Sequence, residues 1–405
     1  MKIKNYLSKI ILIFITCFIL AACQKPDMER ANLEITPVSF NALPGWNQDS
    51  HEQVLGAFSK SCERILKKSP ETVFGPQPIG GTYGDWQIVC NEVVRSIKAM
   101  PASQIDPKIA KAFFERYFQP YEASGKGVGT EGLFTGYYEA TLNGSKTRHG
   151  VYQYPVYALP DDLVMVELGD FREDLKGRRI AGRVIDGKLR VYEDREDIGL
   201  GKLPDAQKKV IVWVDDAVDL FFLHIQGSGR VIMDDGTSMR IGYAGQNGHP
   251  YYAIGRELIN RGDLTRETVS LQTIRAWLHD NPAQADDLMN KNPSYVFFRA
   301  LDSDKGEGGP IGGEGLVLSA GRSLAIDRSK IPYGVPLWVD IAPPLDGEPG
   351  LRRLMVTQDT GGAIRGAVRA DVFWGHGDRA EYLAGHMKSK GRYWFLLPKQ
   401  TGIHE

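Results

Sequence analysis

The stretch Met355–Gly377, MVTQDTGGAIRGAVRADVFWGHG, decides how the rest of the chain is read. It is rich in glycine and in β-forming residues. It carries two acids, Asp359 and Asp371, and a third, Asp378, follows at once. The three are spaced 12 and 7 residues apart. Val368–Trp374 alternates as a strand does. Val368, Ala370, Val372 and Trp374 then share one face, and Arg369, Asp371 and Phe373 the other. Asp371 becomes a carboxylate in mid-strand, flanked by Val372, Phe373 and Trp374. Carboxylates are rarely buried without a partner. Desolvation and nearby acids both raise such a pKa, and a carboxyl held protonated near neutral pH suits a general acid. The same residues also allow a plain structural role, with Asp371 paired to Arg369 or capping a loop.

Composition narrows the field. The 405 residues are 24% charged with a formal net charge of −1, so there is no basic excess and no nucleic acid partner is expected. A 42% hydrophobic fraction and 45 glycines fit a globular, loop-rich, largely β protein. The length suggests two domains. Residues 1–23 read as a signal peptide. Lys2, Lys4 and Lys9 precede the apolar run Ile10–Ala22, whose 13 residues are too few to span a bilayer comfortably. The run ends in Leu20-Ala21-Ala22-Cys23, which resembles the bacterial lipobox, so Cys23 is expected to carry the lipid. Gln24 follows in place of an inner-membrane retention Asp, which points to the periplasmic face of the outer membrane. Residues 24–47 read as a tether. Cys62 and Cys90 remain, in an oxidising compartment, as a candidate disulfide or as two buried thiols.

Downstream, three helices are expected. Ser50–Lys68 carries Val54, Phe58, Cys62 and Ile65 on one stripe. Asp85 reads as the N-cap of Trp86–Lys98. Asp106-Pro107 starts a third, with Ile109, Phe113 and Tyr117 facing inward. From Gly132 to about Val214 the chain reads as mostly β. Hairpins are expected at Ile180–Val191, turning at Asp186-Gly187, and at Val231–Gly242. Short helices are expected at Ala253–Asn260 and Leu271–Leu278, and β structure with loops from Leu316 onward. Gly227-Ser228-Gly229 lacks the Lys-Ser/Thr of a P-loop and opens no βαβ unit. There is no HExxH and no CxxC pair. His224, His249, His376 and His386 are scattered, so no metal is expected.

Several motifs then converge. Leu316–Pro336, Gln358–Ile364 and Arg369–Gly377 with Asp378 resemble the 3D domain, named for three aspartates. Thr135-Gly136-Tyr137-Tyr138, Gln226-Gly227-Ser228-Gly229 and Tyr295-Val296-Phe297-Phe298 occur in the order seen in the membrane-bound lytic transglycosylase A family. The resemblance covers roughly 132–398. It implies an α+β, mainly β fold of two domains with a groove between them. One domain, residues 48–141 and 293–405, would contain a double-psi β-barrel; the other, 142–292, would be a β-rich insertion. It implies peptidoglycan glycan strands as the substrate and needs no cofactor. By position in the motifs, Asp371 corresponds to the catalytic acid/base and Asp359 and Asp378 to supporting acids. Thr135, Tyr137, Gln226 and Ser228 fall on motifs that line the groove, and Tyr137, Tyr138 and Trp374 are candidates to stack on sugars. Two other readings remain beside it: a non-catalytic wall-binding lipoprotein and a hydrolytic muramidase. Asp359-Thr360-Gly361 is also the aspartic-peptidase triplet, but no second triplet accompanies it.

Overall fold

A computed structural model of the chain describes residues 31–76, 78–175, 178–301 and 309–399. Cys23 and the expected leader lie outside the described residues. Among the described residues, no helix is long and apolar enough to cross a membrane. The order begins with β1 (Leu33–Pro37), α1 (Glu52–Ile65), α2 (Tyr83–Ala99), α3 (Pro107–Tyr117), β2 (Phe118–Gly125) and β3 (Gly132–Ser145). It continues with β4 (Tyr154–Tyr157), β5 (Val164–Glu167), β6 (Arg179–Ile185), β7 (Lys188–Val191), α4 (Arg195–Gly199), β8 (Val210–Val214) and α5 (Ala217–Gln226). Then come β9 (Ser228–Met233), β10 (Ser238–Gln246), α6 (Ile254–Arg261), α7 (Leu271–Asp280), α8 (Pro282–Asn290) and β11 (Val296–Leu301). The last part is β12 (Ser323–Ile326), β13 (Pro336–Ile341), β14 (Leu351–Thr360), β15 (Arg369–His376), α9 (Asp378–His386) and β16 (Lys388–Pro398). The protein is therefore α+β and mostly sheet.

Six strands close on themselves in the order β3-β15-β12-β14-β13-β16, because β16 pairs with β13 through one half and with β3 through the other. Two of the six pairings, β3–β15 and β12–β14, are parallel. Closure removes the exposed edges that open sheets must protect. The interior carries Phe134, Leu324, Leu337, Val356, Val372 and Phe395, continuous with the buried stripes of α1 and α2. Cys62 on α1 and Cys90 on α2 form a disulfide, with Cα atoms 4.9 Å apart.

Two helix expectations need correction. α2 begins three residues before Trp86. Thr82 is its N-cap, and Asp85, at the third helical position, closes the capping box by accepting from Thr82 N at 2.7 Å and Thr82 Oγ1 at 2.9 Å. On α3 the buried pair is Ala110 and Phe114, while Ile109 is 66% exposed. The 109/113/117 and 110/114/118 stripes have the same spacing. Packing on Phe58 and Phe118 buries the second more deeply, while Phe113 and Tyr117 of the first stay partly buried against the same core.

β3 continues past the ring. Its residues 140–144 pair in parallel with β9, which leads on to β10 and β11. This second sheet has its own core of Leu142, Val156, Val231, Ile241 and Phe298. A helical layer of α5 to α8 packs around Phe221, Phe222 and Leu258. β11 pairs with β10, so residues 296–301 belong with this sheet. α9, in a region expected to be β and loop, also enters this second core through Ala380 and Ala384. At Gly136 a Cβ would come within 2.6 Å of Trp374 Nε1 and 2.9 Å of Ala384 Cα, so only glycine lets β3 pass between the two regions.

Candidate active site

Strand register assembles the site. Asp371 in β15 stands opposite Thr135 of β3 on one side and Ala325 of β12 on the other. Ala325 in turn stands opposite Asp359 of β14. Directly paired residues share a face, so Thr135, Asp371, Ala325 and Asp359 form one row across four strands. Tyr137 and Phe373 follow two residues on, with rings 5.2 Å apart. The opposite faces of β12 and β15 hold Leu324 and Val372, both fully buried.

Asp359 reaches this row only because of a bulge. Leu324 pairs with Thr357 and Ala325 with Asp359, so Gln358 is the extra residue. A bulge re-aims the side chains beyond it. Thr357 stays inside, bonded to Pro332 O and Val335 N, and Asp359 is turned outward. Gln358 is fully buried and is held by Ser323 Oγ, Ser61 Oγ and Ala57 O.

The two carboxyls are dressed differently. Asp359 accepts Tyr137 Oη on Oδ2 at 2.8 Å, and Gly313 N and Thr360 N on Oδ1 at 2.7 and 2.8 Å. Burial pushes it up to about 6 despite these donors, with a smaller contribution from the charge of Asp371. Among the described residues Asp371 accepts one hydrogen bond, from Thr135 Oγ1 to Oδ1 at 2.7 Å. Thr135 Oγ1 itself accepts from Arg369 Nη2 at 2.8 Å. Burial raises the Asp371 carboxyl above its usual value, opposed by the Arg369 charge and the Thr135 hydroxyl. Oδ2 of Asp371 has no hydrogen-bond partner among the described residues. Tyr137, between both acids, is held well above its ordinary value by burial and by Asp359 and stays a donor. Thr135, Tyr137, Asp359 and Asp371 all remain partly open to solvent, so a ligand can reach them.

The other expected residues fall elsewhere. Asp378 is exposed at the first turn of α9, beyond the end of β15, and makes no bond to either acid among the described residues. Gln226 ends α5 and accepts Tyr138 N at 3.2 Å, which places it beside β3 near the site. The run containing it folds as a helix, and Gly227, with φ of 75°, ends that helix so that Ser228 can open β9. Tyr138 is only 2% exposed and belongs to the second core, so it cannot stack on a ligand. Trp374 is packed at the junction of the two cores. His224 is buried against Arg195, 2.9 Å away, in a cage of Tyr295 and Phe298. No group of described residues could hold a metal.

Sequence reasoning missed the loop after β11. Gly313 donates to Asp359, and a Cβ there would come within 2.5 Å of Tyr333 Oη. The neighbouring Glu314 is buried, accepts Ser61 Oγ at 2.7 Å, and is pushed up to about 7 by burial. Its backbone N–H donates to Gln358 O, so the loop straps the bulge. The signal was the run Gly312-Gly313-Glu314-Gly315, whose glycines allow that close approach.

Known proteins share these features. Residues 133–299 match the MltA specific insert domain and residues 322–397 match the 3D domain. The chain is 34% identical over 271 residues to the membrane-bound lytic murein transglycosylase A of Escherichia coli K12, which covers 65% of each chain. The match therefore spans just under two thirds of that relative's length. The structure resembles the membrane-bound lytic murein transglycosylase from Agrobacterium tumefaciens, at a TM-score of 0.77 and 33% identity, over 90% of this chain and 98% of that one. It also resembles E. coli MltA with bound chitohexaose, at a TM-score of 0.62 and 26% identity, over 93% of this chain and 96% of that one. A row of carboxyls set on a closed ring of strands, on two matched domains in this order, places the chain in the membrane-bound lytic murein transglycosylase A family.

Proposed function

We propose that this protein is a lytic transglycosylase of peptidoglycan. It cleaves the β-1,4 bond between N-acetylmuramic acid and N-acetylglucosamine and leaves 1,6-anhydromuramoyl ends. The observation that carries the mechanism is the contrast between the two acids. Asp359 has both oxygens occupied by three donors, whereas Asp371 has one oxygen without a partner among the described residues. A glycoside hydrolase needs two working carboxylates. Here only one is free to act.

Asp371 Oδ2–H donates its proton to the glycosidic oxygen as the bond from C1 of the muramoyl ring breaks, and the N-acetylglucosamine leaves with a 4-hydroxyl. The 6-hydroxyl of the same muramoyl ring attacks C1. Asp371, now a carboxylate, takes the proton that this hydroxyl loses and is restored. The nucleophile belongs to the substrate, so its attack is intramolecular and carries a large effective concentration. Thr135 keeps Oδ1 bonded throughout and fixes which oxygen faces the sugar. Arg369 orients that hydroxyl. Asp359 fixes Tyr137 and the Gly313 loop, a supporting role.

The closed ring with its two parallel pairs supports a double-psi barrel. The continuation of β3 into the second sheet supports a glycan groove beside Thr135, Tyr137, Gln226 and Ser228. The domains are then 48–141 with 302–405, and 142–301, since β11 pairs with β10. Cys23 would carry a lipid that holds the enzyme at the periplasmic face of the outer membrane, beside the wall. The test is release of soluble muropeptides from purified sacculi by the chain from residue 24 onward. Wild type is expected to solubilise them and Asp371→Asn is not. Sacculi bound but left intact by wild type would instead establish a wall-binding protein.

A further inference from the structure

β3 presents one continuous outward face. Tyr138, Ala140 and Leu142 point into the second core. By alternation Glu139 and Thr141 point outward, on the side that carries Thr135 and Tyr137 nearer the ring. The neighbouring strands add charge to this face. Thr141 stands opposite Arg230 of β9, and Arg230 opposite Arg240 of β10. Two residues away on the same side, Ser228 stands opposite Gly242, and Gly242 opposite Arg299 of β11. Paired residues share a face, so three guanidinium groups gather beside one carboxylate. Four strand residues separate Thr135 from Glu139, roughly 13 Å, so the cluster begins a short way along β3 from the catalytic row.

Like charges directly opposite each other across a ladder are destabilising, and only one of the facing pair is neutralised. The Glu139 side chain is 1% exposed, and its Oε1 accepts Arg240 Nε at 3.1 Å and Arg240 Nη2 at 2.9 Å. Its Oε2 is buried with no partner among the described residues, so Glu139 serves Arg240 and not Arg230. Arg230 and Arg299 form no ion pair and no side-chain hydrogen bond among the described residues. Arg230 is partly buried, with its Nε shut off from water and unbonded, and Arg299 is exposed. The acids of the β9–β10 turn are engaged elsewhere, Asp234 by His149 and Asp235 by Thr237.

A guanidinium with a desolvated, unbonded N–H calls for an anion. The proposed substrate says which. The sugar rings of a glycan strand are neutral. Its negative charge lies on the stem peptides, which hang from the lactyl groups of the muramoyl rings and end in free carboxylates. A planar guanidinium takes a carboxylate through two parallel hydrogen bonds. Resting on the transglycosylase reading, we propose that Arg230 and Arg299 form a stem-peptide site. They hold the peptide carboxylates of a muramoyl unit displaced along the strand from the scissile bond, and the protein prefers strands that carry acidic peptides.

The test is equilibrium binding of un-cross-linked glycan strands to the chain from residue 24 onward carrying Asp371→Asn, so that cleavage does not intervene. The strands have their peptide amines acetylated and are used before and after their carboxylates are converted to methyl amides. The acidic strands are expected to bind about tenfold more tightly than the amidated ones, as suits a few charge-assisted hydrogen bonds. The difference should shrink as salt rises. Arg230→Gln with Arg299→Gln should bring the two affinities together. Neither side chain bonds another described residue, so this pair should keep the parent melting temperature. Equal binding of acidic and amidated strands, or a difference that survives the glutamine pair, would overturn the proposal and leave the transglycosylase reading standing. Binding of neither strand would overturn both.

Discussion

The strands on either side of β12 carry the two acids of the site, and they treat them in opposite ways. β14 bulges at Gln358 and delivers Asp359 into a cage of Tyr137, Gly313 and Thr360. β15 pairs in regular register at Asp371 and gives it one hydrogen-bond partner among the described residues, Thr135. Both carboxyls are raised by burial. Proximity in the fold therefore does not make two acids equivalent. The one whose valences are filled by the protein holds structure, and the one left with a free oxygen can do chemistry.

The largest expected effect breaks or keeps that contrast. General acid–base catalysis is worth ~10²–10⁴-fold, so Asp371→Asn should lower kcat/KM by that much. Asp359→Asn should stay within about tenfold of wild type, since it loses a holding group and not the proton donor. Equal losses in steady-state rates would show that the two acids act together. Thr135→Val comes next, with a loss of about tenfold for one misoriented group. The hydroxyl lowers the Asp371 pKa, so removing it raises that pKa. The acid form is active and is lost as pH rises through this pKa, so the alkaline limb of the kcat/KM profile should move to higher pH.

A third prediction sharpens the Asp359 side through its strap. Glu314 has a folded pKa of about 7 against an ordinary 4.5. Its proton is favoured in the fold, so stability is full below pH 4.5 and is lost as pH rises through 7. Glu314→Gln removes this titration. It should raise stability at pH 8.5 by roughly 3 kcal/mol relative to wild type and change little at pH 4.5, read from thermal melts across that range. The smallest effect is expected at Asp378. It is exposed at the start of α9, so Asp378→Asn should cost about 0.5 kcal/mol of stability and change sacculus digestion less than twofold.

Much of this was legible in the chain. The alternation around Asp371 placed its side chain on the right face, and the hairpin at Asp186-Gly187 was read correctly from its turn. Cys62 and Cys90 fell on adjacent helices that the apolar stripes had located. What could not be read depended on register. Asp359 shares a face with Asp371 only because Gln358 is extra, and a bulge leaves no local signature when the residues around it are all compatible with a strand. α5 hid because Phe221–Ile225 is a short apolar run without a clear period, and such runs read equally as helix or strand. Asp378 was grouped with the other acids by its place in the three-aspartate motif. Gly375 and Gly377, with φ of 96° and 84°, turn the chain out of β15 and into α9 before it.

The central claim is that the nucleophile comes from the sugar and that Asp371 alone moves the protons. Its most direct test is digestion of purified peptidoglycan in water enriched in oxygen-18, followed by mass spectrometry of the released muropeptides. The account predicts anhydromuropeptides, lighter than hydrolysed ones by one water and free of the heavy oxygen. Reducing ends that carry the heavy oxygen would contradict it. Water would then be the nucleophile, and a second carboxylate, Asp359 first, would have to activate it.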